Sequence, residues 1–172
     1  MSFSIDFREY EKVASNTGVF KGVELDLLRE TLRSWRETPS DPYTLLELRD
    51  GKALVAFAII GKITGRNSTY DIRYIVVDRD YRSTSGCAHL LSMIDEELLK
   101  NSPYAVIRIE ISTQRLISLG AIKFEESGYK LIGHIPEYYG EGDDYYYFVR
   151  TIYKNKAAFS NLSPREEAKP EE

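Results

Sequence analysis

Alternating runs and continuous β-branched or aromatic runs punctuate the chain, separated by stretches in which apolar positions recur every three or four residues. Phe3, Ile5 and Phe7 alternate and predict a first strand over residues 3–7. From Gly22 the apolar positions Leu25, Leu28, Leu32 and Trp35 follow helical spacing, and Pro39 and Pro42 end that helix. Residues 43–49 read as a strand, Asp50-Gly51 as a two-residue hairpin turn, and residues 52–62 as the returning partner. Gly65-Arg66-Asn67-Ser68 turns the chain into residues 70–77, a third antiparallel strand. Cys87, Leu91, Ile94 and Leu98 then mark a helix with one buried face, ending near Lys100.

Asn101-Ser102-Pro103 breaks the pattern, and residues 104–111 form another strand, with Ala105, Ile107, Ile109 and Ile111 on one face and Val106, Arg108 and Glu110 on the other. Strand, helix and strand in succession place this strand parallel to residues 70–77. Residues 116–127 predict a helix closed by Gly128, and residues 129–135 and 144–153 form two last strands joined by residues 136–142. The expectation is an α/β fold with a mixed sheet: antiparallel N-terminal strands, a central parallel pair and helices on both faces.

A length of 172 residues suits one domain, assigned to residues 1–155. From Lys154 the composition turns to Asn, Ser, Pro, Lys and Glu, and residues 156–172 are expected to form a disordered tail. A net charge of -4 without a basic stripe argues against a nucleic-acid partner. One cysteine and two histidines argue against a disulfide framework and a metal site. The longest apolar run, residues 53–60, is too short to span a bilayer, and no secretory signal opens the chain, so a cytoplasmic location is expected. Thirteen tyrosines, several within residues 138–153, suit a half-buried strand face or a lined groove.

The turn over residues 82–87 is small and hydroxylated, with one guanidinium at its start. It joins a strand to a helix whose first-turn N–H groups and dipole favour an anion. It reads as a plain joint or as a phosphate cradle. Val77-Asp78-Arg79-Asp80-Tyr81-Arg82-Ser83-Thr84-Ser85-Gly86-Cys87 resembles the Val-x-Pro-x-Tyr-Arg-x-x-Gly-x-Gly segment of the GCN5-related N-acetyltransferases, with Ser85 and Cys87 in place of both glycines. Ile109-Glu110-Ile111, then Phe124-Glu125-Glu126-Ser127-Gly128-Tyr129, is similar to that family's Leu-Glu-Val and Leu-Tyr-Glu-Lys-x-Gly-Phe segments. Residues 138–144, Tyr-Tyr-Gly-Glu-Gly-Asp-Asp, resemble the Tyr-Tyr-x-x-Gly-Glu-Asp stretch of members that acetylate protein N-termini.

The resemblance implies an enzyme that moves acetyl directly from acetyl-CoA to a primary amine, without a metal and with a protein or peptide amine favoured as acceptor. It implies a pyrophosphate on the N–H groups of Arg82, Ser83, Thr84, Ser85, Gly86, Cys87 and Ala88. The thioester carbonyl then lies near the N–H of Val76 or Val77, in a slot where the two parallel strands part. Glu110 takes the place of the base, and its isoleucine neighbours would desolvate it; a carboxylate paired with Arg108 or Arg73 is the alternative. Phe124 stands where the family has a tyrosine acid, leaving Tyr139, Tyr138, Tyr129 or water to protonate the thiolate. Tyr74, Tyr138 and Tyr139 are assigned to the acceptor groove. Cys87 reads as a small apolar residue. A homodimer is compatible with the sequence. The rival reading is a degenerate module that binds CoA or a partner without turnover, which Ser85, Cys87 and Phe124 favour.

Overall fold

The computed structural model describes residues 7–38, 43–82, 85–120 and 124–155. Its elements in chain order are α1 (Phe7–Asn16), α2 (Val23–Glu37), β1 (Tyr43–Asp50), β2 (Ala53–Lys62), β3 (Thr69–Val77), a 3-10 turn (Arg79–Tyr81), α3 (Gly86–Leu99), β4 (Tyr104–Ser112), α4 (Thr113–Ser118), β5 (Lys130–Gly140) and β6 (Asp143–Tyr153). The strands form one six-stranded sheet in the order β1-β2-β3-β4-β6-β5, in which β3 and β4 are parallel and the other neighbouring pairs antiparallel.

Helices cover both faces of the sheet. β2 is buried on both sides from Leu54 to Gly61, so its sequence is one unbroken apolar run rather than an alternation. On one face Ala58, Ile75, Ile107 and Phe148 meet Leu90, Leu91 and Ile94 of α3. On the other, Phe57, Ile59 and Val76 meet Tyr10 and Val13 of α1 and Leu28 and Leu32 of α2. Among the described residues no helix is long and apolar enough to cross a membrane.

Three elements depart from the sequence reading, one of them β5, which runs to Gly140 through most of the 136–142 segment expected as a loop. Residues 3–6 of the expected first strand lie outside the described residues, and Phe7 opens α1, whose buried Tyr10, Val13 and Ala14 form a helical stripe against the sheet. The helix expected over 116–127 is instead α4, which starts earlier because Ser112 Oγ accepts the N–H of Arg115. Gly120 then takes φ 86, a conformation that ends helical propagation, and residues 124–128 form turns closed by Gly128. Residues 121–123, Pro39, Pro42 and the tail 156–172 lie outside the described residues.

Candidate active site

The parallel pair is short. β3 and β4 pair from Thr69↔Val106 to Ile72↔Ile109 and no further, while β3 stays paired with β2 to Val77 and β4 with β6 to Ser112. The cause lies in β3: Ile59 opposes Tyr74 and Ile60 opposes Ile72, so Arg73 is an extra, bulged residue at the point where the strands part. Past it, the β4-facing edge of Val76 and Val77 has no ladder partner among the described residues.

The split opens toward the start of α3. The first helical bond there runs from His89 N–H to the Ser85 carbonyl, leaving the amides of Gly86, Cys87 and Ala88 outside the helical ladder. Ser85, at the cap position, makes no side-chain cap bond. Ser83 and Thr84 lie outside the described residues. Arg82 Nη2 donates to the Thr17 carbonyl at 2.6 Å, and its Nε is buried without a partner. The Gly120 turn packs on this corner so closely that a Cβ there would sit 2.8 Å from the Arg82 carbonyl oxygen. Burial pushes the Cys87 thiol up to about 12, so it stays protonated and serves as a small apolar contact.

Glu110 is the first residue of β4 beyond the last paired position, and its side chain is exposed on the face opposite the isoleucines. Those neighbours point into the α3 core and do not desolvate it. Arg108 is held by Asp71 at 2.6 Å and Arg73 lies 3.9 Å from the same carboxylate, so Glu110 has no ion-pair partner among the described residues. It lines a cleft of about 460 Å³ with Glu24 and Leu27 of α2, Ser112, Arg115, Tyr139 and Asp143. A second hollow of about 340 Å³, walled by Gly18, Val19, Lys21 and Gln114, shares Glu24, Ser112, Arg115 and Asp143 with it. The Arg115–Glu24 ion pair, 2.9 Å long, stands between the two. Three carboxylates against one guanidinium make the Tyr139 cleft acidic.

No family model and no curated protein matches this sequence. Solved structures do match. A protein described as a GNAT-family acetyltransferase from Desulfovibrio desulfuricans superposes with TM-score 0.70 at 18% identity, over 87% of this chain and 94% of its own. The ribosomal-protein-S18-alanine N-acetyltransferase of Escherichia coli gives TM-score 0.68 at 20% identity, over 93% and 94%. An aminoglycoside 6'-N-acetyltransferase complexed with coenzyme A gives 0.57 at 16%, over 90% and 97%. The chain has the GNAT fold.

In this GNAT fold the cleft's outer wall is a wide bulge. Ile135 opposes Tyr145 and Gly140 opposes Asp143, so residues 136–139 of β5 face Asp144 alone. Asp144 fastens them: Oδ1 accepts the Glu137 N–H at 2.9 Å, Oδ2 lies 2.7 Å from His134 Nε2, and its own N–H donates to Thr113 Oγ1. The Glu137 amide and His134 hold its carboxyl below the usual aspartate range. Asp143 accepts the Gln114 N–H, tying the same hairpin to the start of α4. Glu137 pays for the bend with φ 54. Tyr138 stacks edge-on against Tyr139 and leans on Tyr145. Burial, then the charge of Glu110, raises the Tyr139 phenol, which therefore keeps its proton at neutral pH.

Other candidates fall elsewhere. Tyr74 is half-buried against Phe20 on the α1 and α2 face and does not line either hollow. Tyr129 and Phe124 are buried in the α3 core, on the sheet face opposite Glu110. Glu24, Arg115, Asp143 and Asp144 were not among the residues singled out from the sequence; only the Asp143-Asp144 pair following two glycines gave a signal. Replacing Asp144 by Ala will speed amide exchange at Glu137 about tenfold through loss of one charge-assisted bond. Asp144→Asn, which keeps a neutral Oδ1 acceptor without the charge, will speed it less, and equal protection in both variants would remove Asp144 as the fastener.

Proposed function

We propose that this chain is an acetyl-CoA-dependent N-acetyltransferase acting on a primary amine, with a protein or peptide amine as the favoured acceptor. The reading rests on one observation above the others: Glu110 sits at the mouth of the β3/β4 split and shares an acidic cleft with the phenol of Tyr139. The pantetheine arm enters the split, and its pyrophosphate lies on the amides of Gly86, Cys87 and Ala88 at the start of α3, which stand outside the helical ladder. At Cys87, where the family has a glycine, the side chain is buried in the α3 core.

The acceptor ammonium is drawn to Glu110, Glu24 and Asp143. Glu110 takes one proton and the freed amine attacks the thioester carbon. Negative charge on the carbonyl oxygen is met by the N–H of Val76 or Val77 on the unpaired edge of β3. Collapse breaks the C–S bond, the thiolate takes the Tyr139 proton, and the second proton of the nitrogen passes through solvent to the Tyr139 phenolate as the amide forms. Tyr138, Tyr139 and Leu27 offer amphipathic and apolar walls to the residues that follow the amine. The acceptors named for two structural relatives, a ribosomal-protein alanine and an aminoglycoside, are both amines.

Acetyl-CoA at about 100 times its dissociation constant will add about 2.7 kcal/mol of stability, or about 5 to 10 °C in melting temperature for a chain of this size. Thiol release will then appear with an amine or peptide acceptor. Absence of both rejects the reading. A thermal shift without thiol release from any amine in the panel leaves a CoA-binding module.

A further inference from the structure

The charges of the cleft do not cancel. Of its three carboxylates Glu24 is already occupied within the protein: Oε1 pairs with Arg115 at 2.9 Å and Oε2 accepts the Lys21 N–H at 3.3 Å. Arg73 and Arg108 turn to Asp71, and neither Glu110 nor Asp143 has an ion-pair partner among the described residues. Asp143 gives one oxygen to the Gln114 N–H, which fixes the side chain and leaves its charge. An acceptor with a single ammonium balances one of these two charges and leaves the other.

Aromatic rings stand beside the same two groups. Tyr147 opposes Glu110 and Tyr145 opposes Ser112 in the ladder between β4 and β6, so both tyrosines share the sheet face of that carboxylate. The bulge brings Tyr138 and Tyr139 to Tyr145, with centroids 5.2 and 6.4 Å away and 4.9 Å between the two. No pair among the three is stacked, and Tyr138 and Tyr139 are 59 and 53% exposed, so ring faces are left to an incoming group. The negative face of such a ring attracts a cation. Burial first, then the charges of Glu110 and Asp143, raise the Tyr139 phenol, so that ring lies within reach of both carboxylates.

Resting on the acetyl-transfer reading, we propose that the acceptor is a peptide with two positive charges: an α-ammonium that meets Glu110, and a lysine or arginine side chain close behind it, held by Asp143 and the rings of Tyr138, Tyr139 and Tyr145. Neither feature alone selects this occupant, since exposed tyrosines take many partners and a carboxylate takes any cation. Together they suit a cation on an apolar stem, whose methylenes lie on the rings while its head meets Asp143. That cation also favours the phenolate left when Tyr139 gives up its proton, so it helps turnover as well as binding.

The test compares short peptides that differ only at their second and third residues, both lysine, both glutamine or both glutamate, in thiol release from acetyl-CoA. The lysine peptide will show a kcat/KM about tenfold or more above the glutamine peptide, and the glutamate peptide will be the poorest. The gap will narrow as salt rises from about 0.05 to 0.5 M. Asp143→Asn, which keeps an oxygen for the Gln114 N–H, will bring the lysine-to-glutamine ratio close to one. Tyr145→Phe will keep the ratio and Tyr145→Leu will lower it. Calorimetric binding of the same peptides, already acetylated at the N-terminus, separates this inference from the reading beneath it. A lysine preference there without turnover of the free peptides keeps the second seat and rejects acetyl transfer, whereas turnover without any preference keeps acetyl transfer and rejects the seat. A ratio unmoved by Asp143→Asn also overturns the proposal, and so does putrescine outrunning the lysine peptide, since a free diamine would then be the acceptor.

Discussion

Glu110→Gln will lower kcat about 10²- to 10³-fold, the range of a positioned general base, and will leave the acetyl-CoA-induced thermal shift intact. The amide is nearly the same size as the carboxylate and the side chain is exposed, so the fold does not register the change. What is lost is a proton acceptor at the mouth of the split. The defect will depend on the acceptor. An α-amine, with a pKa near 8, is about 10% free at pH 7, whereas a lysine-type amine near 10.4 is free in well under about 0.1% of molecules. The variant will therefore lose more with a lysine-type acceptor, and will recover toward the parent as pH rises and solvent removes the proton. An unchanged rate at pH 7 with both acceptors excludes Glu110 as the base.

The sequence carried the sheet well because its strongest signals are local. The Asp50-Gly51 turn, the apolar run of β2 and the alternation of β4 each dictate one element, and the crossover rule ordered two of them in parallel. α1 was missed because Phe3, Ile5 and Phe7 present a period of two just before the helical stripe of Tyr10, Val13 and Ala14 begins. The α4 region was misjudged for a different reason: its start depends on the Ser112 cap and its end on Gly120 pressed against Arg82, a contact between segments far apart in the chain.

The site divides in the same way. Glu110 was legible because strand alternation puts it on the face away from the core. The cleft around it was not, because Glu24, Arg115, Asp143 and Tyr139 come from four separate segments that only the tertiary fold brings together. Nor does periodicity show a bulge in which four residues of one strand face one carboxylate. The parting of β3 from β4 was expected from resemblance alone, and its physical cause, the extra residue Arg73, leaves no mark in the hydrophobic pattern.

Phe124 will prove to be a core residue rather than a missing acid. It is 1% exposed, meets Tyr129 edge-on with centroids 5.4 Å apart, and lies 30° from the plane of Phe148 at 5.2 Å. Phe148 in turn stacks on Tyr146, and Tyr146 on His134, so a ladder of rings runs from the α3 core to the residue that Asp144 holds at the cleft wall. Phe124→Ala removes the buried end of that ladder and will cost about 3 to 5 kcal/mol, measured by urea or thermal unfolding. Phe124→Tyr separates packing from chemistry. The added hydroxyl enters an apolar site where the neighbouring Tyr129 hydroxyl already lacks a partner, so it will cost about 1 to 3 kcal/mol. Because that site is on the far side of the sheet from Glu110, the rate of thiol release per folded molecule will not rise. A rate gain in Phe124→Tyr would show that this position does reach the leaving thiolate, and would take the role of acid away from Tyr139.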